Sequence, residues 1–367
     1  MTLAFRNRID VTLSVADRRI TCVDIQPRTR PPLGRLAAGK PVETLLAALP
    51  RLFSLCATAH QVALLTAVEA ARGQPAAPLT RHRRIKAVLA ERVAELLRGL
   101  LLGPLAGDRG TLPTAQRLLQ AVACLQQQSR GEGPGPSRAE TLSQIKMALG
   151  ELGIGSAAES FAPGTPLARL MAAAGKAAEN GGWRHMPSAH GLLSAADDRA
   201  VVTRLMENGA AFADAPELDG RIPETGVWAR HAGRSPRHAG PAERLSVRIA
   251  ELAALVRWIE DGETEDDVAE EDLVAGYGLG PGRGAAAVEC ARGRLHHVVE
   301  LDARGDIARF EYLAPTEWNF HPRGPVATSL TGAMLRGAED RDLVHGMIAS
   351  FDPCVGFGLT VREMADA

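Results

Sequence analysis

The alternation of apolar and polar positions marks the first elements of this chain. Ile9 to Val15 alternate, Ala16-Asp17-Arg18-Arg19 is a polar turn, and Ile20 to Ile25 alternate again, which predicts an N-terminal β-hairpin. A proline-rich link, Pro27 to Pro32, follows. From Pro41 the spacing of Leu45, Leu46 and Leu49 becomes helical until Pro50 interrupts it. Longer helices are predicted at about Leu55–Arg72, Thr80–Leu102, Leu112–Gln127 and Arg138–Leu152, the last two parted by a flexible Gly- and Pro-rich break at Arg130–Arg138. The Ala242–Glu260 helix carries a continuous stripe of Leu245, Ile249, Leu252, Leu255, Val256 and Ile259, and the acidic run Asp261–Asp272 reads as its solvated continuation. Late strands are predicted at Ala286–Cys290, His296–Leu301 and Ile307–Leu313. A helix at about Asp340–Ser350 delivers the chain to Asp352-Pro353-Cys354. The fold class is α+β, predominantly α, with strands at the edge of a helical body.

Composition narrows the partners. Forty-two Lys and Arg against forty-three Asp and Glu leave a net charge of −1, so no global field recruits nucleic acid or an anionic membrane. The N-terminal arginines have no apolar core segment behind them, so no export signal is read. Leu96–Leu105 is broken by Arg98, Gly99 and Gly103 and is too short to span a bilayer. Five cysteines, an odd number with no CxxC pair, argue for thiols in a reducing compartment, and hence a cytoplasmic location. Cys22, Cys124 and Cys290 fit core positions.

Two segments hold candidate chemistry. In Arg51-Leu52-Phe53-Ser54-Leu55-Cys56-Ala57-Thr58-Ala59-His60, a helix starting near Leu55 would put Cys56 and His60 on one face, where an imidazole N–H could support a thiolate. Near the other end stands Ser350-Phe351-Asp352-Pro353-Cys354-Val355-Gly356-Phe357. Asp352 could shape the turn before Pro353. His296 and His297 are neighbours on a strand and so face opposite ways, which makes a shared ion implausible.

Together these segments resemble the first and last cysteine motifs of nickel-iron hydrogenase large subunits, RxCGxCxxxH and DPCxxCxxH. Glu289-Cys290-Ala291-Arg292-Gly293-Arg294-Leu295-His296 is similar to the family's EAPRGxLxH segment, Ala314 to Asn319 to its VPTTWN, and Pro223 to Arg230 to its EVGPLAR. The resemblance implies the large-subunit helical body with small edge β-hairpins, as a single domain over 1–367 with a variable helical insertion at about 105–205. It also implies a bimetallic site, from which this chain departs. Phe53 and Phe357 replace one terminal nickel ligand and one bridging thiolate, Thr360 stands in place of the last histidine, and Cys56 and Cys354 remain. Nickel loses half of its thiolates, so no nickel site and no catalysis are expected.

The iron side is better kept. The family's iron carries two cyanides and one carbon monoxide, and Arg292 matches the arginine over that site. A planar guanidinium suits cyanide nitrogens. The pattern resembles the HupK/HoxV group of hydrogenase accessory proteins, which implies a non-catalytic scaffold that transiently holds or relays an Fe(CN)2(CO) fragment. Its metal ligands would be Cys56 and Cys354, with His60 and Arg292 completing the binding site. The implied partners are a HypC-type chaperone, a HypD-type assembly protein and a hydrogenase large-subunit precursor. The alternative is a metal-free, hydrogenase-like interaction protein that binds the same machinery.

Overall fold

The computed structural model describes residues 7–131, 135–155, 161–180, 191–232, 240–261, 270–335 and 340–364. The centre of the Gly- and Pro-rich break (132–134) and most of the acidic run (262–269) lie outside the described residues.

Strands β1 (Arg8–Ala16) and β2 (Arg19–Gln26) form the predicted hairpin. Asp17 and Arg18 both take positive φ, 49° and 62°, as a two-residue turn between twisted strands requires. Helices α1 (Leu33–Ala37), α2 (Val42–Leu52), α3 (Ala57–Arg72) and α4 (Pro78–Leu102) follow. Next come α5 (Leu112–Arg130), α6 (Arg138–Leu152), α7 (Pro166–Asn180), α8 (Asp198–Asn208), α9 (Ala210–Asp214) and α10 (Val227–Ala232). The long α11 (Pro241–Asp261) and short α12 (Glu270–Leu273) precede four strands, β3 (Val274–Gly280), β4 (Arg283–Cys290), β5 (Gly293–Leu301) and β6 (Ile307–Leu313). The chain ends with α13 (Pro315–Asn319), α14 (Pro325–Leu330), α15 (Asp340–Ser350) and β7 (Gly356–Glu363).

The strands make two sheets. In one, β7 lies parallel to β1 in the order β2-β1-β7, with Ile9 opposite Phe357, so both ends of the chain meet. Its inner residues Ile9, Val11, Leu13 and Val15 pack with Val344, Met347 and Ile348 of α15. The other sheet runs β3-β4-β5-β6, antiparallel throughout. Helix α3 covers one face and α8 packs on the other, which is why β4 and β5 are buried almost continuously instead of alternating. Gly284 lets α3 approach: a Cβ there would stand 2.2 Å from the Ala67 carbonyl oxygen and 2.3 Å from the Ala71 nitrogen.

Three sequence expectations need correction. Helix α2 runs through Pro50 to Leu52, because the Leu46 carbonyl that proline leaves without a helical donor accepts from Gln61 Nε2 at 3.3 Å. Cys22 is exposed. A bulge between Ser14 and Val15 pairs Ile20 with Val15 but Cys22 with Ser14, so the inward alternation from Ile20 is broken before it reaches the cysteine. Strands β3 and β7 were not legible, since VAGYGLG and GFGLTVRE are glycine-rich and gain their ladders only from β4 and β1.

Candidate functional site

Cys56 stands just before α3 as its N-cap residue, in the left-handed region at φ 57° and ψ 28°, and not within the first helical turn. Such a conformation costs a β-carbon residue about 1–2 kcal/mol and persists only where the surroundings impose it. Here Glu91 of α4 imposes it: its carboxylate accepts from Thr58 N at 2.7 Å and Ala59 N at 2.9 Å, taking over the cap that Cys56 does not supply. Burial pushes the Glu91 carboxyl up, while the Thr58 and Ala59 N–H bonds act against that shift.

The β4–β5 turn supplies the opposite wall. Cys290 and Gly293 pair across Ala291-Arg292, and Gly293 at φ 127° leaves room that a Cβ would close, 2.2 Å from Thr225 Oγ1. Arg230 donates to the Cys290 and Ala291 carbonyls at 3.2 and 3.0 Å while paired with Glu251 and Glu289, so the turn is held from behind. From it Arg292 reaches into the site. Its Nη1 lies 3.5 Å from Cys56 Sγ and 3.1 Å from Glu95 Oε2, and its Nε lies 3.5 Å from Asp352 Oδ2. Burial opposes its charge, but Asp352, Cys56 and Glu95 more than compensate and keep it protonated.

The influence of Cys290, with burial second, pushes the Cys56 thiol well above the ordinary range. The influence of Cys56 pulls the Cys290 thiol below it despite burial. Cys290 is buried within the main hydrophobic core, in keeping with its expected packing position.

Cys354 enters from the loop between α15 and β7. Thr316 Oγ1 donates to its sulfur at 3.1 Å, and Arg28 and Glu317, paired at 2.8 Å, act on it from the side. Burial is the main influence and pushes this thiol up; Arg28, Thr316 and Arg292 work against it. Arg28 and Glu317 also line a surface cleft of about 500 Å³ with Arg30, Leu33, Asp214 and Glu311. Arg292 thus joins the two ends of the chain, touching Cys56 directly and acting on Cys354 through its charge.

His60 has other engagements. Its Nδ1 meets His297 Nε2 at 2.9 Å, and its ring stacks on Phe53 at a centroid distance of 3.6 Å and 7°. Burial, followed by His297 and Arg28, pushes the imidazole well down, so it is neutral at pH 7. His296, on the opposite face of β5 as expected, bonds Asp198 at 2.9 Å. The donors present do not fit a four-thiolate nickel site: Phe53 is locked against His60, and the Phe357 ring packs on His345 at 4.6 Å. Among the described residues no group of three or more His, Cys, Asp or Glu could hold a bare metal ion.

Residues 185–358 match the family model described as nickel-dependent hydrogenase. Over its full length, the chain is 50% identical to the hydrogenase expression/formation protein HupK of Bradyrhizobium diazoefficiens, all of which is covered. It belongs to the HupK-type family of hydrogenase expression/formation proteins. A second HupK, from Rhizobium leguminosarum bv. viciae, is 35% identical over 98% of this chain and 97% of that protein. HoxV of Cupriavidus necator is 30% identical over 91% and 92%. The fold of this HupK-type chain is that of the nickel-iron hydrogenase large subunit. The Ni-Fe-Se hydrogenase of Desulfovibrio vulgaris Hildenborough superposes with a TM-score of 0.64 at 14% identity, covering 93% of this chain and 94% of that one. The Desulfomicrobium baculatum enzyme gives 0.64, 14%, 93% and 95%. Among the described residues no helix is long and apolar enough to cross a membrane.

Proposed function

We propose that the chain acts in hydrogenase maturation as a non-catalytic, cytoplasmic scaffold that transiently holds an Fe(CN)2(CO) fragment as cargo and relays it to a large-subunit precursor. The observation that carries this reading is the buried Arg292 guanidinium, set against Cys56 and acting on Cys354. Ferrous iron with two cyanides and two thiolates sums to a charge of about −2, which is costly to bury without a fixed cation and donors. Arg292 is such a cation, and its planar fork suits cyanide nitrogens as acceptors. In this reading Cys56 and Cys354 are the ligands, and His60 braces the Cys56 segment through Phe53 and His297. Nickel is not retained.

The names of the relatives support a place in maturation, and the proposed partners are a HypC-type chaperone, a HypD-type assembly protein and the large-subunit precursor. The sparse donor set favours one alternative, a metal-free interaction protein that docks to the same machinery. Infrared spectra of protein purified with its maturation partners separate the two. Cyanide and carbon monoxide bands on the wild-type protein, lost in a folded, normally abundant Cys56→Ser variant that no longer supports hydrogenase activity, are the expected result. Full hydrogenase activity in cells whose only copy carries Cys56→Ser would overturn the carrier reading.

A further inference from the structure

We infer that the cavity behind the β4–β5 turn is a binding site for a small organic anion, separate from the cysteine site and independent of the iron cargo. The cavity, of about 640 Å³, is lined by Arg92 of α4, Arg230 of α10, Glu251 and Trp258 of α11, and Glu289 and Arg294 of the hairpin. That volume is ordinary for a small-molecule site. Glu251, 3% exposed, is the hub of its wall. Oε1 accepts from Arg92 Nη2 and from Arg230 Nη2, each at 2.7 Å, and Oε2 accepts from Arg230 Nε at 2.9 Å and from His231 Nε2 at 3.2 Å. A carboxylate offers about four lone-pair positions, so this one is full. Burial opposes its charge, but Arg230 and Arg92 hold the carboxyl well below its ordinary range, and it donates nothing.

The wall has donors to spare. Arg92 is 2% exposed, yet among the described residues its Nε and Nη1 have no hydrogen-bond partner, and neither has Trp258 Nε1. Buried guanidinium N–H groups are costly to leave unpaired and are ordinarily satisfied. All of these orphans are N–H donors on side chains that line one cavity, and among the described residues lining it no side-chain acceptor is left buried and unpaired. The missing partner is therefore an acceptor. Beside a charged guanidinium an anionic oxygen makes the stronger bond. Leu193, Leu255 and the Trp258 ring give the cavity an apolar side, which suits a carboxylate or phosphate carried on an apolar body better than a bare inorganic ion.

The cavity is tied to the cysteine site through α4 and the hairpin turn. Arg92 directly follows Glu91, which caps the helix behind Cys56, and stands one helical turn before Glu95, the partner of Arg292. Arg230 holds the Cys290 and Ala291 carbonyls with the same guanidinium that pairs with Glu251. An anion on Arg92 thus bears on the ion-pair wall that supports the Arg292 turn.

Isothermal titration calorimetry on the full-length protein tests the site with benzoate, phenyl phosphate, inorganic phosphate and uncharged benzyl alcohol as probes. The expected result is saturable binding of benzoate or phenyl phosphate, about tenfold or more tighter than that of inorganic phosphate or benzyl alcohol, and the better of the two aromatic anions identifies the head group as carboxylate or phosphate. Arg92→Gln should weaken that binding by about tenfold or more, and Trp258→Phe, which keeps the ring and loses only the N–H, by about threefold or more. If Arg92→Gln does not fold, the milder Trp258→Phe decides. No binding of either aromatic anion, binding of benzyl alcohol or inorganic phosphate as tight as theirs, or wild-type affinity in a folded variant would overturn the proposal.

Discussion

At the Cys56 end every group near the sulfur is carried by an element locked into the main core, whereas at the other end Cys354 is carried by a loop leading to the edge strand β7. Cys56 is set by the Glu91 cap and by Arg292, which reaches it from a pinned hairpin turn. Cys354 has one neutral hydroxyl and a nearby ion pair that faces a cleft. The contrast teaches that a large-subunit fold can hold one of its two motif cysteines buried on core elements while the other, less buried, rides on a loop.

The rigid half should break hardest at Arg292. Arg292→Ala leaves Glu95 and Asp352 without their shared buried cation, and by analogy with other broken buried pairs it should cost about 3–5 kcal/mol, read from the midpoint of chemical denaturation. A loss below about 1 kcal/mol would mean that the guanidinium does not organise this wall.

Next in size is Gly293→Ala. The substitution asks a β-carbon residue to take φ 127° and to occupy space against Thr225, for an expected loss of about 2–4 kcal/mol. Unchanged thermal stability would show that the turn relaxes freely and that the Cys290–Arg292 geometry is not pinned.

The histidine pair beneath the site gives a pH signature. Burial, with His296 contributing, brings His297 down to about 3 from an ordinary 6.5, so the folded protein keeps it neutral where the unfolded chain binds a proton. The stability it contributes is therefore complete above about pH 6.5 and is lost as the pH falls toward 3, at about 1.4 kcal/mol per pH unit per proton once the unfolded imidazole is charged. Denaturation midpoints across this window should fall with decreasing pH, and His297→Gln should flatten the slope. An equal slope in that variant would assign acid sensitivity to other groups.

The smallest effect is expected on the open side. Cys354→Ser replaces a half-buried thiol with a group that can still accept from Thr316, so stability should change by less than about 1 kcal/mol. Hydrogenase activity in cells should nonetheless fall, more than for His60→Ala, since a ligand makes a bond that a bracing ring only supports. Severe unfolding of Cys354→Ser would erase the distinction between the two ends.

Local signals carried much of the fold. The α6 boundaries at Arg138 and Leu152 agree with the sequence because Ser137 and Glu140 form a reciprocal cap within four residues. The helix before Cys354 was legible from its own periodicity. At the site, Cys56, Arg292 and Cys354 stood out through motif likeness, yet the true start of α3 did not, since its cap is a glutamate from α4. The same holds for His60: four-residue spacing suggested a partner at Cys56, and the structure gave the ring to Phe53 and His297.

The amino-acid order alone determined the helical body, the N-terminal hairpin and the motif positions held by Phe53, Phe357, Cys56, Cys354 and Arg292, because each depends on residue identity or on neighbours a few positions apart. Only the tertiary structure decided that Arg292 reaches Cys56 and that a glutamate of α4 caps the helix behind it. Those facts depend on how closely α3 can lie on β4 and against α4, and such contacts between distant segments leave no periodicity in either one.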